Sequence, residues 1–451
     1  MRDLLEAAIG RSPADYTDIR FHRRQRTIIS CRGSRTEFVA DAEDAGGLVR
    51  CLYRGHGWGA TEVRDPGQLT AAVQQAAELS LLLRIRDSAV LAPVPVREAS
   101  FPCPPDGDPR GTPLIAKRRL AASLAQAIGG FDRRIVEVRV RYEDRLEETW
   151  LRTSEGIALH EARRELSLAA CAVAVETGTA ERATDSVATA GSWTELERWA
   201  EGAPRIADRA IARLHAAPAK SGRLPVILDP RFAAVWVHRA LGHRCCADAG
   251  GAPRLALGTR IGPEILGVGD DATALGLRGT LAFDHEGAVP QNTVLVRNGV
   301  LVHHLHTRAT AQKDGAAPTG NARAHRCGFP SARLTNTYLA NGRGTLEDLL
   351  RGVSLGVYLA EPESAALEGD GLAIRAGFAR MIRRGELAEP LKGVALTGDA
   401  LGLFGLVDAV AGDFAWDPSA SRCERAGGDD LPASHGAPHV RLVEAAIGEA
   451  A

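Results

Sequence analysis

Two histidines, His238 and His243, stand close together in the chain and are the residues best suited to hold a metal ion. They follow a strand-like run at 224–228 and lie in a stretch that we interpret as helical. Neutral imidazole nitrogen binds zinc readily. Histidines that share a metal on one helix are usually four residues apart, whereas these two are five apart.

The spacing makes a shared metal depend on the shape of the helix. At about 100° per residue, the two side chains would diverge by about 140° on a regular α-helix. A kink or a π-bulge between them would bring the rings together, and Gly242 makes such a distortion less costly. The alternative is two unrelated histidines, with His238 on an apolar face beside Trp236 and His243 at the helix end. The spacing alone favours that alternative.

The elements that must position these histidines fall into two parts. The first part alternates strand-like and helical stretches. Helices are predicted at 68–86, 114–128 and 196–214, and a strand pair turns at Glu155-Gly156. A linker is predicted at 218–222, just before the strand that leads to the histidines.

The second part contains many short strand-like runs, such as residues 280–283. Asn298-Gly299 between two such runs is a strong hairpin signal. The predicted fold class is therefore α+β. A mixed α/β N-terminal domain, residues 1–217, precedes a β-rich, antiparallel and barrel-like C-terminal domain, residues 218–451, that carries one inserted helix.

Composition is ordinary for a soluble globular protein of 451 residues, with 45% hydrophobic and 25% charged residues. A formal net charge of −1 gives no field that would attract nucleic acid or an anionic membrane. No apolar run is long enough to span a membrane, and no signal peptide is visible. We therefore expect a cytoplasmic protein without nucleic-acid or membrane partners, whose eight cysteines are mostly reduced and buried.

Beside the histidine motif, further blocks stand out in order along nearly the whole chain. They are residues 14–20, 48–50 with 57–59, 225–228, Asp284-His285-Glu286-Gly287, Asn298-Gly299, 319–323, Arg333-Leu334-Thr335-Asn336-Thr337-Tyr338 and 356–358. Together these blocks resemble the TldD/PmbA family of metallopeptidases, and its TldD side in particular. Several independent blocks in the right order are far more specific than any one of them.

The resemblance implies a third metal ligand, a cysteine near the C-terminus, which corresponds to Cys423. The expected set is then His238, His243 and Cys423 around one zinc ion, although Cys423 could instead be a small buried apolar residue. Asn336 and Tyr338 are the candidate substrate-binding residues. The family also implies a TldE/PmbA-like partner in a heterodimer, with a homodimer as the alternative, and a cavity that admits unfolded peptides only.

The chain departs from the family around the expected catalytic centre. The family glutamate after the first histidine is Arg239, and a second family acid is Cys246, although Asp248 is retained. The stretch 424–428 lacks the family's Gly-Lys and Gly-Gln pattern, and the glycine-rich block expected at 359–364 is lost. The scaffold blocks are kept while the centre has changed.

Arg239 bears directly on mechanism. In a zinc peptidase the glutamate takes a proton from water and passes it to the leaving amine, a contribution of roughly 10²–10⁴ in rate. Arginine stays protonated at any working pH and cannot do this. Arg239 could clamp a substrate carboxylate, or it could point into solvent and pair with an acid.

Three hypotheses about function follow. The first is a zinc-dependent amide hydrolase, or one subunit of a two-subunit peptidase, whose proton shuttle is another residue, with Asp248, Asp284 and Glu286 as candidates. The second is a pseudo-enzyme that serves as the structural half of a heterodimer. The third is an enzyme of a specialised pathway that acts on a peptide-like small-molecule conjugate.

Overall fold

The computed structural model describes residues 1–85, 89–248, 254–425 and 429–449. The helices of this part are α1 Arg2–Ile9, α2 Leu69–Leu82, α3 Leu114–Gly129, α4 Trp193–Gly202, α5 Arg205–Leu214, α6 Pro230–Ala240, α7 Arg308–Asp314 and α8 Leu346–Arg351. The strands are β1 Tyr16–Arg32, β2 Arg35–Leu52, β3 Trp58–Val63, β4 Glu98–Phe101, β5 Ile135–Thr153, β6 Ala158–Glu176, β7 Thr179–Thr189, β8 Ala217–Pro218, β9 Gly222–Leu228, β10 Val268–Asp271, β11 Asn292–Arg297, β12 Val300–Leu301, β13 Ala322–Arg323, β14 Ser331–Ala332, β15 Asn336–Leu339, β16 Leu355–Glu368, β17 Gly371–Arg383, β18 Glu386–Lys392, β19 Val394–Asp399, β20 Val407–Val410, β21 Ala415–Trp416, β22 Arg422–Arg425, β23 Asp429–Pro432, β24 Ser434–Ala437 and β25 Val440–Glu449.

A long, mostly antiparallel sheet forms the N-terminal part, in the order β3-β2-β1-β5-β6-β4, with β7 also paired to β6. Only the short strand β4 runs parallel to its neighbour. Helix α2 packs on β2 and β3, while α3 and α5 pack on β5, β6 and β7. Leu124 of α3 and Ile206 of α5 are buried against Val140 and Leu168 of the strands. The predicted mixed α/β character of this part is confirmed.

The helix predicted at 196–214 is two helices in the structure. Helix α4 ends at Gly202 and α5 begins at Arg205, with Pro204 at the N-cap of α5. Proline has no N–H to donate to the preceding turn, so the hydrogen bonds of α4 cannot continue through Pro204. The apolar spacing continues across this break, which is why it predicted a single helix.

A closed barrel of five strands forms the centre of the C-terminal part. The strands follow the order β16-β9-β25-β19-β17, and β17 pairs again with β16 to close the ring. All neighbours are antiparallel except β16 and β9, which run parallel. The predicted α+β class with a β-rich, barrel-like C-terminal part is therefore confirmed.

A second sheet lies beside the barrel, in the order β12-β11-β10-β15-β24-β21. Helix α6 packs between the two, against β16 of the barrel and β15 and β24 of the second sheet. Its Phe232, Trp236 and Val237 are fully buried in the shared core, and Trp236 stacks on Phe404 with ring centroids 4.2 Å apart. The helix that carries His238 is thus enclosed by both β layers.

The hairpin predicted at Asn298-Gly299 is confirmed by the pairing of β11 with β12. The strand predicted at 280–283 is wrong, because these residues lie outside the strands. Phe283 is buried with Leu151 and Ile157 of the N-terminal sheet. This run is apolar because it fills the contact between the two parts of the chain.

A buried ion cluster also crosses that contact. The Arg50 guanidinium lies 2.6 Å from the Asp18 carboxylate and 3.3 Å from the Glu286 carboxylate, and each of the three side chains is at most 4% exposed. Asp18 and Arg50 belong to the N-terminal sheet, whereas Glu286 belongs to the C-terminal part.

The division of the chain into two domains at 217/218 stays a prediction, since β8 at that point pairs with β18 of the C-terminal sheet. None of the helices in the described ranges is both long and apolar enough to cross a membrane.

We predict that Arg50→Ala lowers the free energy of unfolding by about 3–5 kcal/mol, because it leaves two buried carboxylates without their cation. Urea denaturation followed by circular dichroism measures this change. Arg23→Ala is the matched control, since Arg23 pairs with Glu43 on the surface with both side chains 47% exposed. Equal midpoints for the two variants would show that the buried cluster does not hold the two parts together.

Candidate metal centre

Helix α6 has well-defined start and stop signals. Asp229 caps it by accepting a hydrogen bond from the Phe232 N–H at 2.6 Å, and Pro230 occupies the first turn. The helix ends at Ala240, and a 3-10 turn over Gly242–Cys245 follows. The predicted distortion between the two histidines is therefore present, as a break between an α-helix and a 3-10 turn and not as a π-bulge.

The break places the two imidazoles face to edge. The ring centroids of His238 and His243 are 5.1 Å apart, with the planes at 81°. Gly242 lies close to Leu334, since a Cβ on it would be 2.6 Å from the end of the Leu334 side chain, which would have to shift.

Cys423 completes a three-residue cluster. One potential ligand atom from each of His238, His243 and Cys423 lies within 4.8 Å of the other two. Ligand atoms on a tetrahedral zinc ion are about 3.3–3.8 Å apart, given Zn–N near 2.0–2.1 Å and Zn–S near 2.3 Å. Cys423 sits on β22, which forms a hairpin with β23. The three residues that the family resemblance implies as ligands are therefore brought together by the fold.

His238 has the hydrogen-bond pattern of a metal ligand. Its Nδ1 lies 3.2 Å from the Thr337 hydroxyl oxygen, and that hydroxyl donates to the Asp270 carboxylate at 3.1 Å. Since the Thr337 proton is committed to Asp270, Thr337 accepts from the Nδ1–H of His238. Nε2 then carries the lone pair, and it is buried without a hydrogen-bond partner. A ligand histidine whose other nitrogen is held by a carboxylate relay is the common arrangement at metal sites.

The relay is itself firmly held. Asp270 is fully buried and also accepts hydrogen bonds from the Thr335 N–H and the Asn321 amide, both at 2.9 Å. Burial raises the pKa of Asp270, and these hydrogen bonds oppose the increase. Burial, followed by the nearby His435 and His243, holds the pKa of His238 well below its usual range. The ring is therefore neutral, which is the form that binds metal.

A buried arginine contacts the cysteine ligand. The Arg333 Nε–H donates to Cys423 Sγ at 3.4 Å, and its guanidinium also donates to the Cys423 carbonyl oxygen. Arg333 is 2% exposed. Cysteine binds metal as the thiolate, and a guanidinium N–H is a suitable donor to that anion. The donor set of two imidazoles and one thiol fits zinc.

Arg239 forms an ion pair next to the cluster. Its guanidinium lies 2.7 Å from the Glu424 carboxylate, with the two side chains 25% and 56% exposed. Arg239 follows one ligand in the chain and Glu424 follows another, and successive side chains on a strand face opposite sides. Of the alternatives for Arg239, the structure shows the surface pair with an acid.

The three acids considered as proton shuttles make other contacts. Glu286 binds Arg50 and the Arg308 N–H, Asp284 accepts three backbone N–H groups, and Asp248 accepts the Ala332 N–H. None of them belongs to the cluster found among the described residues.

Asn336 and Tyr338, the candidate substrate-binding residues, lie on β15 beside Thr337. Asn336 is buried and bonded to the Gly279 N–H and the Asp271 carbonyl, and the Tyr338 hydroxyl donates to Asn292. Alternation along the strand puts both on the face opposite Thr337, the residue that contacts His238. The structure does not bring them to the metal cluster, and a role in substrate binding stays a prediction.

Sequence reasoning missed His435. It lies on β24, where its Cα pairs with that of Thr337, and its ring centroid is 3.9 Å from that of His238. Burial lowers the pKa of His435 to about 4, so the ring is neutral. A lone histidine in Ser434-His435-Gly436 has no metal-ligand spacing. Its place after Cys423, on the strand that returns to the centre, was the only signal.

Comparison with known proteins identifies the family of the chain. Models of PmbA/TldA metallopeptidases match the chain over residues 17–80 (domain 1), 107–217 (central domain) and 221–449 (C-terminal domain). A metalloprotease of a Synechocystis species is 32% identical over 453 residues, which cover 98% of this chain and 97% of the relative. The chain belongs to the TldD/PmbA family of metallopeptidases, and the resemblance seen in the sequence is confirmed.

Two further relatives are informative. A protein of Saccharolobus solfataricus named zinc metalloprotease TldD homolog is 29% identical over 247 residues, which cover 53% of this chain and 55% of that protein. The crystal structure of TldE from Thermococcus kodakarensis has a TM-score of 0.72 and 17% identity, and the match covers 99% of both chains. That structure shows a shared fold.

We predict that Thr337→Val weakens zinc binding by about 10–100-fold, because it leaves the Nδ1–H of His238 without its acceptor. Competition with a chromogenic chelator measures the affinity. Thr335→Val is the matched control, since the Thr335 hydroxyl also donates to Asp270 but does not contact His238. Equal affinities for the two variants would contradict the relay.

Proposed function

We propose that this chain is a TldD-like zinc-dependent amide hydrolase subunit that acts on peptides or on a peptide-like small-molecule conjugate. The observation that carries the proposal is the cluster of His238, His243 and Cys423, with His238 held in the tautomer that directs Nε2 toward a metal. Three protein ligands are typical of catalytic zinc sites, which keep one position open, whereas structural sites use four.

Bound zinc would supply the Lewis acid that polarises the amide carbonyl and acidifies water. The chain's own residues set the conditions for this chemistry. Thr337 and Asp270 orient the His238 ring, and Arg333 donates to the sulfur of Cys423. Burial of His238 and Cys423 excludes bulk water from the ligands.

Proton transfer is where this chain differs from an ordinary peptidase. Arg239 cannot accept a proton, and its guanidinium is engaged by Glu424. A general base usually contributes roughly 10²–10⁴ in rate. We therefore propose a slower hydrolase, or one whose proton-transfer group is another residue or belongs to a partner subunit.

The second candidate function is a pseudo-enzyme that serves as the structural partner in a heterodimer. The Arg239–Glu424 ion pair favours it, because it replaces the acid of the family motif with a surface contact. In that case the chain binds zinc or no metal and does not hydrolyse amides.

We propose a TldE/PmbA-like chain as the partner, with a second copy of this chain as the alternative. Membership of the TldD/PmbA family supports the first, as does a fold shared with a protein named TldE. A cytoplasmic location is supported by the eight cysteines, all described by the structure, which form no disulfide with one another.

Metal analysis of the purified protein tests the zinc site. We predict about one zinc per chain, and background levels in His238→Ala, because loss of one of three ligands removes most of the affinity. His303→Ala is the control, since His303 is exposed and bonded to a backbone carbonyl. Absence of zinc from the unmodified protein would rule out the hydrolase.

Substitutions of Arg239 separate the two candidate functions. We predict that the chain, mixed with its TldE/PmbA-like partner, cleaves an unfolded peptide in a zinc-dependent manner, and that Arg239→Gln changes the rate by less than about 10-fold because Arg239 transfers no proton. Arg239→Glu is combined with Glu424→Gln to avoid like-charge repulsion at 2.7 Å. If the Arg239→Glu/Glu424→Gln variant cleaves the peptide and the unmodified chain does not, the natural chain is the pseudo-enzyme.

A further inference from the structure

His435 is a buried histidine with no hydrogen bonds. It is 3% exposed, and neither Nδ1 nor Nε2 has a partner. A neutral imidazole offers one donor and one acceptor. Nearly all buried polar groups in folded proteins are satisfied, and each unsatisfied one costs roughly 1–3 kcal/mol. Two such atoms on one ring need an explanation.

The position of this ring connects it to the metal centre. β24 runs parallel to β15, and the Cα atoms of His435 and Thr337 are paired. Thr337 holds the edge of the His238 ring through Nδ1, while the His435 ring lies over its face, with centroids 3.9 Å apart and planes at 36°. Two adjacent residues of the second sheet therefore contact the same ligand.

His435 nevertheless lies outside the ligand set. The cluster whose atoms lie within 4.8 Å of one another contains His238, His243 and Cys423 only. With both ring nitrogens unpartnered and its ring 3.9 Å from that of His238, His435 is close enough to the centre to contact a group bound there. Residue 239, where the family has its acid, does not fill this role in this chain, because Arg239 is a cation paired with Glu424.

We propose that His435 is a catalytic residue whose ring N–H donates a hydrogen bond to the carbonyl oxygen of the amide substrate at the metal centre. This inference rests on the proposed hydrolase function and names a residue that binds the reacting group. Donors of this kind act on the charge that develops on the oxygen, and removal of one typically costs 10²–10³ in kcat. Burial of the ring strengthens the contact, since no water competes for the N–H.

The test uses acetohydroxamate, whose carbonyl resembles that of an amide, as a probe of the zinc-loaded protein. His435→Leu removes the N–H, and His435→Gln retains an N–H donor. We expect zinc content to stay at the level of the unmodified protein in both. The Kd for acetohydroxamate rises about 10-fold in His435→Leu, the loss of one hydrogen bond of about 1.4 kcal/mol, and returns most of the way in His435→Gln.

Stability provides a second readout. His435→Leu removes two unsatisfied nitrogens and no hydrogen bond, so its thermal midpoint stays the same or rises. His304→Ala is the control, because His304 is also buried but both of its ring nitrogens are bonded, to Arg254 and to the Leu255 carbonyl. His304→Ala lowers the midpoint and leaves the Kd unchanged.

Two outcomes would overturn the proposal while the zinc hydrolase stands. One is an unchanged Kd for acetohydroxamate in His435→Leu, which would show that the His435 ring only fills space beside His238. The other is loss of zinc in His435→Leu to the extent seen in His238→Ala, which makes His435 a ligand. A zinc-free unmodified protein would overturn this proposal and the proposed function together.

Discussion

The hydrogen-bond relay from Asp270 through Thr337 to His238 is the interaction on which the metal centre depends. It joins the second sheet to helix α6 and fixes which nitrogen of His238 is free for a metal. The relay requires helix α6 to be enclosed between the barrel and the second sheet. If His238 were exposed, its Nδ1 could hydrogen-bond to water and not to the Thr337 hydroxyl. Much of the C-terminal architecture can be understood as the support for this one contact. The barrel packs one side of α6, and β15 and β24 bring polar side chains to the other.

The three candidate ligands lie together in this chain, whereas residue 239, where the family resemblance places a glutamate, is an arginine. The ligands are held by elements that also build the core, so their loss would cost stability as well as activity. Arg239 and Glu424 lie outside the core and form a partly exposed ion pair, which contributes little to folding. Substitution at these two positions was therefore tolerated by the fold. His435, in contrast, is buried without hydrogen bonds next to His238, and a fold under selection for stability alone would not retain it.

The sequence predicted the α+β class, the barrel-like C-terminal part and the three clustered residues, because each has a local signal or a family block. It did not predict the break at Pro204, since the apolar period continues across it. It named Asn336 and Tyr338 as candidate substrate-binding residues, which stays a prediction, and it did not single out Thr337 between them, whose hydroxyl contacts His238. The sequence shows that side chains alternate between the two faces of a strand. Which face lies toward the candidate metal centre depends on the elements that pack against the sheet. His435 was missed because its importance arises from a parallel pairing with β15, which no local pattern records.

X-ray absorption at the zinc K-edge of the purified protein tests the central claim most directly, because it reports the atoms bound to the metal. The account predicts a mixed shell, with nitrogen scatterers at about 2.0–2.1 Å and one sulfur at about 2.3 Å. In Cys423→Ser the sulfur contribution disappears, whereas in Cys245→Ser, a buried cysteine outside the cluster, it stays. A spectrum without sulfur, or one in which Cys423→Ser changes nothing, would contradict the proposed centre.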